Sequence, residues 1–329
     1  ISLCKEIADF PRHPSIHVGG MIISSCPLSG IVPLERATMP GRVVCQWDKD
    51  SVEDAGLVKV DILGLRMLSL IQEAVELIEK SRGIYIDLDR IPLDDEKVYD
   101  MVCQADTMGV FQVESRAQMQ TLPRTQPRSI EDLTVEVAII RPGPLQGHMV
   151  HPYIRRKQGK EKVTYLHPGL KPILEETLGV ILFQEQVLKV AIAIAGFTPG
   201  EADSLRRAMS RKRSRHAMEE LRQRFLKGAK ENGVSEAVAE RVFDTLKGFA
   251  EYGFCKSHAA GFALLAYQSA WLKYYYPAEF YAALLNNQPM GFYSPEVIIG
   301  DAKRHGVQIL PVDVDHSYAR CTVEEGKVR

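Results

Sequence analysis

Three short strings in this 329-residue sequence combine residue types suited to phosphate and metal chemistry. In Lys59-Val60-Asp61-Ile62-Leu63-Gly64-Leu65, Lys59 and Asp61 lie two apart, so on a strand they project from one face. A carboxylate binds a hard divalent cation and a neighbouring ammonium neutralises phosphate charge, so the pair suits a metal-assisted phosphate reaction. An exposed ion pair is the plainer reading of a bare Lys-x-Asp. In Tyr252-Gly253-Phe254-Cys255-Lys256-Ser257-His258-Ala259-Ala260, Gly253 permits a tight turn and Ser257 can cap a following helix. Lys256 and His258 would then stand at the positive end of that helix, where phosphates are readily held. In Glu201-Ala202-Asp203-Ser204-Leu205-Arg206-Arg207-Ala208-Met209, the two arginines point to different faces of a helix. One can then serve a phosphate while the other makes a structural pair.

The elements that must carry these strings can be read from hydrophobic period and from helix stops. Val18 to Ser24, Val43 to Trp47 and Leu57 to Ile62 read as short strands in a segment rich in Gly, Pro and β-branched residues. Met67 to Lys80 reads as a helix stopped by Arg82-Gly83, and Asp94 to Cys103 as a second. Beyond this the pattern is helical almost throughout. Ser129-Ile130-Glu131-Asp132 starts a helix and Arg141-Pro142-Gly143-Pro144 is a break. Gln184 to Ala195 is an apolar helix. Thr198-Pro199-Gly200-Glu201 has the capping-box pattern. Ser235 to Phe249, Ser257 to Tyr276 and Pro277 to Asn287 follow as helices, Ser294-Pro295-Glu296 opens another, and Val307 to Pro311 reads as a strand.

The net charge of -1 conceals a division. From Asp48 to Asp100 fourteen acids face seven bases, a local charge of -7. From Ser204 to Lys230 ten bases face only Glu219 and Glu220, a local charge of +8, and Arg141 to Lys171 carries +6. A basic middle of this kind suits a polyanionic partner, although solvated basic helices are also common. Of the nine histidines only His13 and His17 have His-x-x-x-His spacing, in a segment rich in Gly and Pro rather than on a helical pattern, and the six cysteines form no Cys-x-x-Cys. This disfavours a zinc site or disulfide scaffold and suggests a reducing cytoplasm. No apolar run approaches the ~20 residues of a membrane span, so no membrane partner is expected. The chain starts on Ile1 and ends on Glu324-Glu325-Gly326-Lys327-Val328-Arg329, and it reads as an internal piece of a longer protein.

Taken in order, the strings resemble bacterial C-family DNA polymerases, the DNA polymerase III alpha subunit. Phe10 through Gly20 and Lys59 through Leu65 are similar to its palm. Gly109-Val110-Phe111-Gln112-Val113-Glu114-Ser115, Arg141-Pro142-Gly143-Pro144, Phe183-Gln184-Glu185-Gln186-Val187, Gly196 through Asp203 with Leu205 through Met209, and Tyr252 through Ala260 are similar to its fingers. Trp47-Asp48-Lys49-Asp50 and Asn287 through Ser294 resemble the error-prone branch, whereas Lys256 leans towards the main replicase, which leaves the branch open.

The resemblance implies an α+β chain: a small mixed or antiparallel palm remnant and a large, mostly helical fingers domain. It implies palm over 1–80, fingers over 81–285, and the start of a truncated helix-hairpin-helix DNA-binding region over 286–329. It implies template-directed DNA synthesis by the full-length protein, with primer-template DNA and dNTPs as partners and the sliding clamp and other replisome subunits reached through other regions. Asp61 matches the third of three catalytic, metal-binding aspartates, and Lys59 matches a palm lysine near the triphosphate. Arg206, Arg207, Lys256, Ser257 and His258 match nucleotide-binding positions, and the basic run Arg211, Lys212, Arg213 and Arg215 is expected to bind DNA. Two Mg²⁺ ions are expected, with most ligands outside this stretch. The family's upstream Asp-x-Asp has no fitting counterpart. Asp48 and Asp50 belong to another string, and Asp313-Val314-Asp315 lies at the wrong end. One aspartate cannot hold two ions, so the stretch alone is expected to be inactive. The competing reading is a non-catalytic nucleic-acid-binding module. A nucleotide hydrolase or kinase is disfavoured by the lack of a Gly-x-x-x-x-Gly-Lys-Ser/Thr loop.

Overall fold

A computed structural model describes residues 3, 16, 17, 19–62, 66–140, 150–210, 215–250 and 254–329. The chain forms two compact units, Ile1–Arg66 and Met67–Arg329.

The first unit is built on short antiparallel ladders. β1 (Gly20–Ile23) pairs with β4 (Val58–Asp61), and between them β2 (Leu34–Arg36) pairs with β3 (Val43–Cys45). A short helix, α1 (Lys49–Asp54), leads into β4. Its N-cap is Asp48, whose Oδ1 accepts the Ser51 amide at 2.7 Å. Asp48 therefore serves a helix end. In the β1–β4 register Gly20 faces Asp61 and Ile22 faces Lys59.

The second unit is helical. α2 (Met67–Arg82), α3 (Glu96–Cys103), α4 (Arg116–Thr125), α5 (Ile130–Ile139) and α6 (Val150–Lys157) come first. The short α7 (Lys171–Leu174) precedes α8 (Gln184–Ala195), α9 (Pro199–Ser210), α10 (Arg215–Glu231) and α11 (Glu236–Ala250). α12 (Lys256–Tyr275), α13 (Pro277–Asn286) and α14 (Pro295–Arg304) follow, and a small hairpin of β5 (Val323–Glu324) and β6 (Lys327–Val328) ends the chain. The expected α+β class, with only small antiparallel sheets beside a dominant helical part, is what the chain adopts. The strand expected over Val307 to Pro311 is reduced to one bridge between Ile309 and Val328, since β6 is too short to pair with more. No helix among the described residues is long and apolar enough to cross a membrane.

Burial explains the helical order. α8 turns Val187, Val190, Ala191 and Ile194 onto Phe225 of α10 and Phe243 and Leu246 of α11. Each such fully buried side chain contributes about 1.5–3 kcal/mol of transfer free energy. α10 lies so close to the end of α8 that a Cβ at Gly228 would stand 2.0 Å from the Ala195 carbonyl oxygen. α12 is the central helix. Its Ala259, Ala263, Ala266 and Ala270 are buried, and these small side chains let α5 pack closely along it. α2, which a palm boundary at residue 80 would assign to the first unit, buries Leu70, Ile71, Ala74 and Ile78 in one cluster with α13. Its end is tied there by Arg82, whose Nε and Nη2 donate to the fully buried Glu279 carboxylate at 2.7 and 3.0 Å. Gly83 stops the helix at φ +67°, as its sequence suggests.

Candidate active site

The first unit brings Lys59, Asp61 and one further group together. Asp61 ends β4, and Lys59 lies two residues earlier on the same face. Both are exposed. Opposite them Gly20 leaves an open patch of backbone. A Cβ there would stand 3.0 Å from His17 Nδ1 and 3.1 Å from Lys59 Cε. The His17 ring and the Lys59 stem therefore both lie against this glycine. His17 Nδ1 accepts the Gly19 amide at 3.1 Å, and Nε2 stands 3.4 Å from Asp61 Oδ2. The Ile62 amide donates to the Gly19 carbonyl at 2.8 Å and fixes the strand end. Asp61 offers hard oxygen ligands to a divalent cation, and His17 stands beside that carboxylate. This donor set fits a share in a metal centre, not a complete two-ion site.

The nucleotide-binding candidates of the second unit occupy two places. On α9, Asp203 draws both arginines to one carboxylate. Arg206 donates to Oδ1 at 2.8 and 3.0 Å, and Arg207 Nη2 lies 2.7 Å from Oδ2. The division of labour expected from opposite helix faces gives way to this shared acid, since i+3 and i+4 side chains reach the same i residue. The Arg206 hydrogen bond holds the Asp203 carboxyl below its usual range. Thr198 and Glu201 form the expected capping box: the Glu201 amide donates to Thr198 Oγ1 and the Thr198 amide to Glu201 Oε2.

At the start of α12, Phe254 bridges to Phe183 at the entry to α8, and the Gln184 amide donates to the Phe254 carbonyl at 2.9 Å. The N-cap position belongs to Cys255, not Ser257, and its side chain makes no cap bond. Glu185 supplies the acceptor instead. Its carboxylate takes the Lys256 amide at 3.0 and 3.1 Å and the Cys255 thiol at 3.3 Å. An acid on a neighbouring helix thus caps α12 because a carboxylate favours a helix N-terminus. The Lys256 ammonium pairs with Glu176. Ser257 and His258 are exposed in this first turn, and the His258 ring packs edge-on against Phe254 and tilted against Phe262, with centroids 5.2 and 4.2 Å away.

Arg211, Lys212 and Arg213 lie outside the described residues, and Arg215 is described only as the first residue of α10. Further along the basic stretch, Arg222 pairs with Glu219 and Glu240, and Arg224 with Glu201 over the Phe197 ring. Part of the positive charge expected to face phosphate is therefore matched within the helical unit.

One cluster of potential metal ligands stands out among the described residues: Asp106, Asp301 and His305. Its cation place is already taken. Lys273 of α12, fully buried, donates to Asp106 Oδ1 at 2.9 Å, Asp301 Oδ2 at 3.2 Å and the carbonyls of Asp106 and Met108. Tyr281 donates to Asp301 Oδ2 at 2.6 Å. Both His305 nitrogens face acceptors, Asp106 Oδ2 at 2.6 Å and the Asp301 carbonyl at 2.9 Å, which is the geometry of an imidazolium. That contact to Asp106 pushes the His305 pKa up. Burial disfavours the Asp106 charge, but the His305 hydrogen bond and Lys273 outweigh it and lower its pKa to about 2. The cluster is a structural ion-pair hub. Elsewhere burial raises Glu114 and Glu136 to about 7, and Glu136 Oε1 has no hydrogen-bond partner.

His17, Glu176, Glu185 and Asp203 hold the predicted site residues, and sequence reading assigned none of them a role. Asp203 had a usable signal, since it stands three and four residues before the arginines. His17, Glu176 and Glu185 depend on pairings that spacing does not reveal.

A helical unit joined to a strand unit that presents an aspartate and a lysine on one face has counterparts among known proteins. The family model "Bacterial DNA polymerase III alpha subunit finger domain" matches residues 67–233, and "Bacterial DNA polymerase III alpha NTPase domain" matches residues 1–64. The chain belongs to the bacterial DNA polymerase III alpha subunit family. Among its relatives, the error-prone DNA polymerase of Alkalilimnicola ehrlichii is 53% identical over 324 residues, covering 98% of this chain and 32% of that protein. The protein of the same name from Corynebacterium jeikeium is 54% identical over 317 residues, 96% of this chain and 28% of its own length. That of Methylococcus capsulatus is 50% identical over 328 residues, 100% of this chain and 31% of its own. The chain thus spans about a third of the length of the curated relatives it matches.

Proposed function

We propose that the full-length protein is a DNA-directed DNA polymerase that transfers nucleotides from dNTPs to a primer 3′ hydroxyl, in the error-prone branch and in repair synthesis. The observation that carries this reading is identity above one half to error-prone DNA polymerases along nearly the whole chain. The Lys59–Asp61 pair on one exposed strand face adds chemical support.

Asp61 would supply one carboxylate towards a pair of Mg²⁺ ions, which when bound would lower the pKa of the attacking hydroxyl and offset phosphate charge. Lys59, beside Asp61, offsets phosphate charge on the same face. In the helical unit Arg206, Arg207 and Lys256 bind the triphosphate in exchange for Asp203 and Glu176, and Ser257 and His258 add donors at the start of α12. Arg211, Lys212, Arg213 and Arg215 contact the primer-template backbone, a binding that weakens steeply with salt. Residues 286–329 lead towards a helix-hairpin-helix region that grips duplex DNA. The sliding clamp and other replisome subunits are reached through other parts of the protein, which works in the cytoplasm.

Primer extension by the full-length protein carrying Asp61→Asn tests the assignment. Loss of roughly 10³-fold or more in extension with DNA affinity retained is expected, since a metal ligand acts in the transition state more than in binding. Extension at the unsubstituted rate would overturn the role of Asp61. Residues 1–329 alone should extend no primer, because they bring one catalytic aspartate to a site that needs several.

A further inference from the structure

His17 makes a contact that neither its sequence surroundings nor the proposed chemistry demands. Its Nδ1 accepts the Gly19 amide, so a neutral ring carries its proton on Nε2. That nitrogen stands 3.4 Å from Asp61 Oδ2. The ring reaches this position because Gly20, the register partner of Asp61, has no side chain. A Cβ at Gly20 would come within 3.0 Å of His17 Nδ1 and 3.1 Å of Lys59 Cε, tighter than ordinary packing on two sides at once. The backbone that orients the ring is itself anchored to the strand end by the Ile62 amide on the Gly19 carbonyl. The imidazole is thus fixed at one nitrogen by its own loop, and the other lies 3.4 Å from the carboxylate, an ion-pair distance and not an aligned hydrogen bond.

We propose that His17 is a positioning residue that holds the Asp61 carboxylate in its ligating orientation, with Gly20 providing the space for it. The inference rests on the reading of Asp61 as a metal ligand. The physical precedent is general: a donor behind a ligand carboxylate restricts its rotation, and loss of such outer partners costs about 10- to 100-fold in metal affinity or activity. Lys59 lies against the same glycine, so one empty Cβ position serves both the charge-neutralising and the orienting side chain.

The test uses the full-length polymerase with His17→Leu, His17→Gln, Gly20→Ala and Asp61→Asn. Mn²⁺ binding in the presence of primer-template is followed by electron paramagnetic resonance, alongside kcat and the KM for dNTP. His17→Leu should weaken Mn²⁺ binding and lower kcat by about 10- to 100-fold, with KM and DNA affinity within about twofold. His17→Gln, whose amide nitrogen reaches the Nε2 position, should recover most of both. Gly20→Ala should reproduce the loss with His17 intact. Unchanged Mn²⁺ binding and kcat in His17→Leu would overturn the inference, as would equal impairment of the Leu and Gln variants. If His17→Leu fails to bind DNA, the Gln and Gly20→Ala variants decide by the same criteria. Asp61→Asn separates the two levels. Active Asp61→Asn removes the ligand reading itself, whereas inactive Asp61→Asn beside fully active His17→Leu removes only the positioning role.

Discussion

Lys256 and Lys273 both belong to α12, one in its first turn and one in its last, and both are paired with acids. Their surroundings differ in every other respect. Lys256 is 45% exposed and meets one glutamate, Glu176, that is 38% exposed. Lys273 is 0% exposed and meets two aspartates and two carbonyls, within reach of Tyr281 and His305. An exposed pair contributes about 0–1 kcal/mol and can be exchanged for another anion at little cost. A buried pair is different, since losing one partner leaves an uncompensated charge in a poorly solvated place. The same residue type on one helix therefore supplies an exchangeable cation at one end and a fixed internal counterion at the other.

Removing the fixed cation should have the largest effect. Lys273→Met in the full-length protein should cost about 3–5 kcal/mol of stability, read as a lower urea midpoint, because Asp301 and Asp106 lose their shared partner. Little change would erase the distinction between the two ends. Lys256→Ala should do the reverse. Its dNTP KM should rise about 10-fold while the thermal midpoint moves by no more than a surface pair allows. A large loss of stability with unchanged KM would make Lys256 another structural lysine.

The pH dependence of stability sharpens the contrast further. The folded Asp106 carboxyl has its pKa lowered from 3.8 to about 2, so its contribution is complete above about pH 4 and is lost as the pH falls through about 2. His305 is raised above 6.5, so its contribution is complete below that value and is lost as the pH rises through the raised one. Urea midpoints of the full-length protein should therefore contain a component centred on mildly acidic pH that His305→Asn removes, with Lys256→Ala retaining it. The smallest effect belongs to Arg207→Gln. Its exposed bond to Asp203 should contribute almost nothing to folding, so a change appearing only in nucleotide affinity is expected.

The sequence made some of this legible and hid the rest for physical reasons. α8, α12 and α13 follow from apolar period and from Pro277, which ends one helix and starts the next. The Thr198 capping box follows from local spacing alone. The α4 helix was missed because Pro123 stands inside it and its polar residues dilute the period. The Lys273 hub joins Asp106 to residues almost two hundred positions later, so no local pattern could announce it, and Lys273 itself resembles any lysine in a last turn. Asp61 and Lys59 were visible through spacing, yet the part of His17 depends on the register that sets Gly20 opposite Asp61. Glu185 stayed hidden because a helix was expected to be capped by its own serine, and a neighbouring helix provides the acceptor instead.

Gly228 carries a consequence for how this region can vary among descendants. A methyl group there would fall 2.0 Å from the Ala195 carbonyl oxygen and 2.6 Å from Arg224 Nη1. The first neighbour is backbone and cannot swing aside, so even alanine forces α8 and α10 apart along the core they share. A saturation library at position 228 selected for folded protein would return glycine almost alone. This one position thus keeps a molecular record of the distance between two helices.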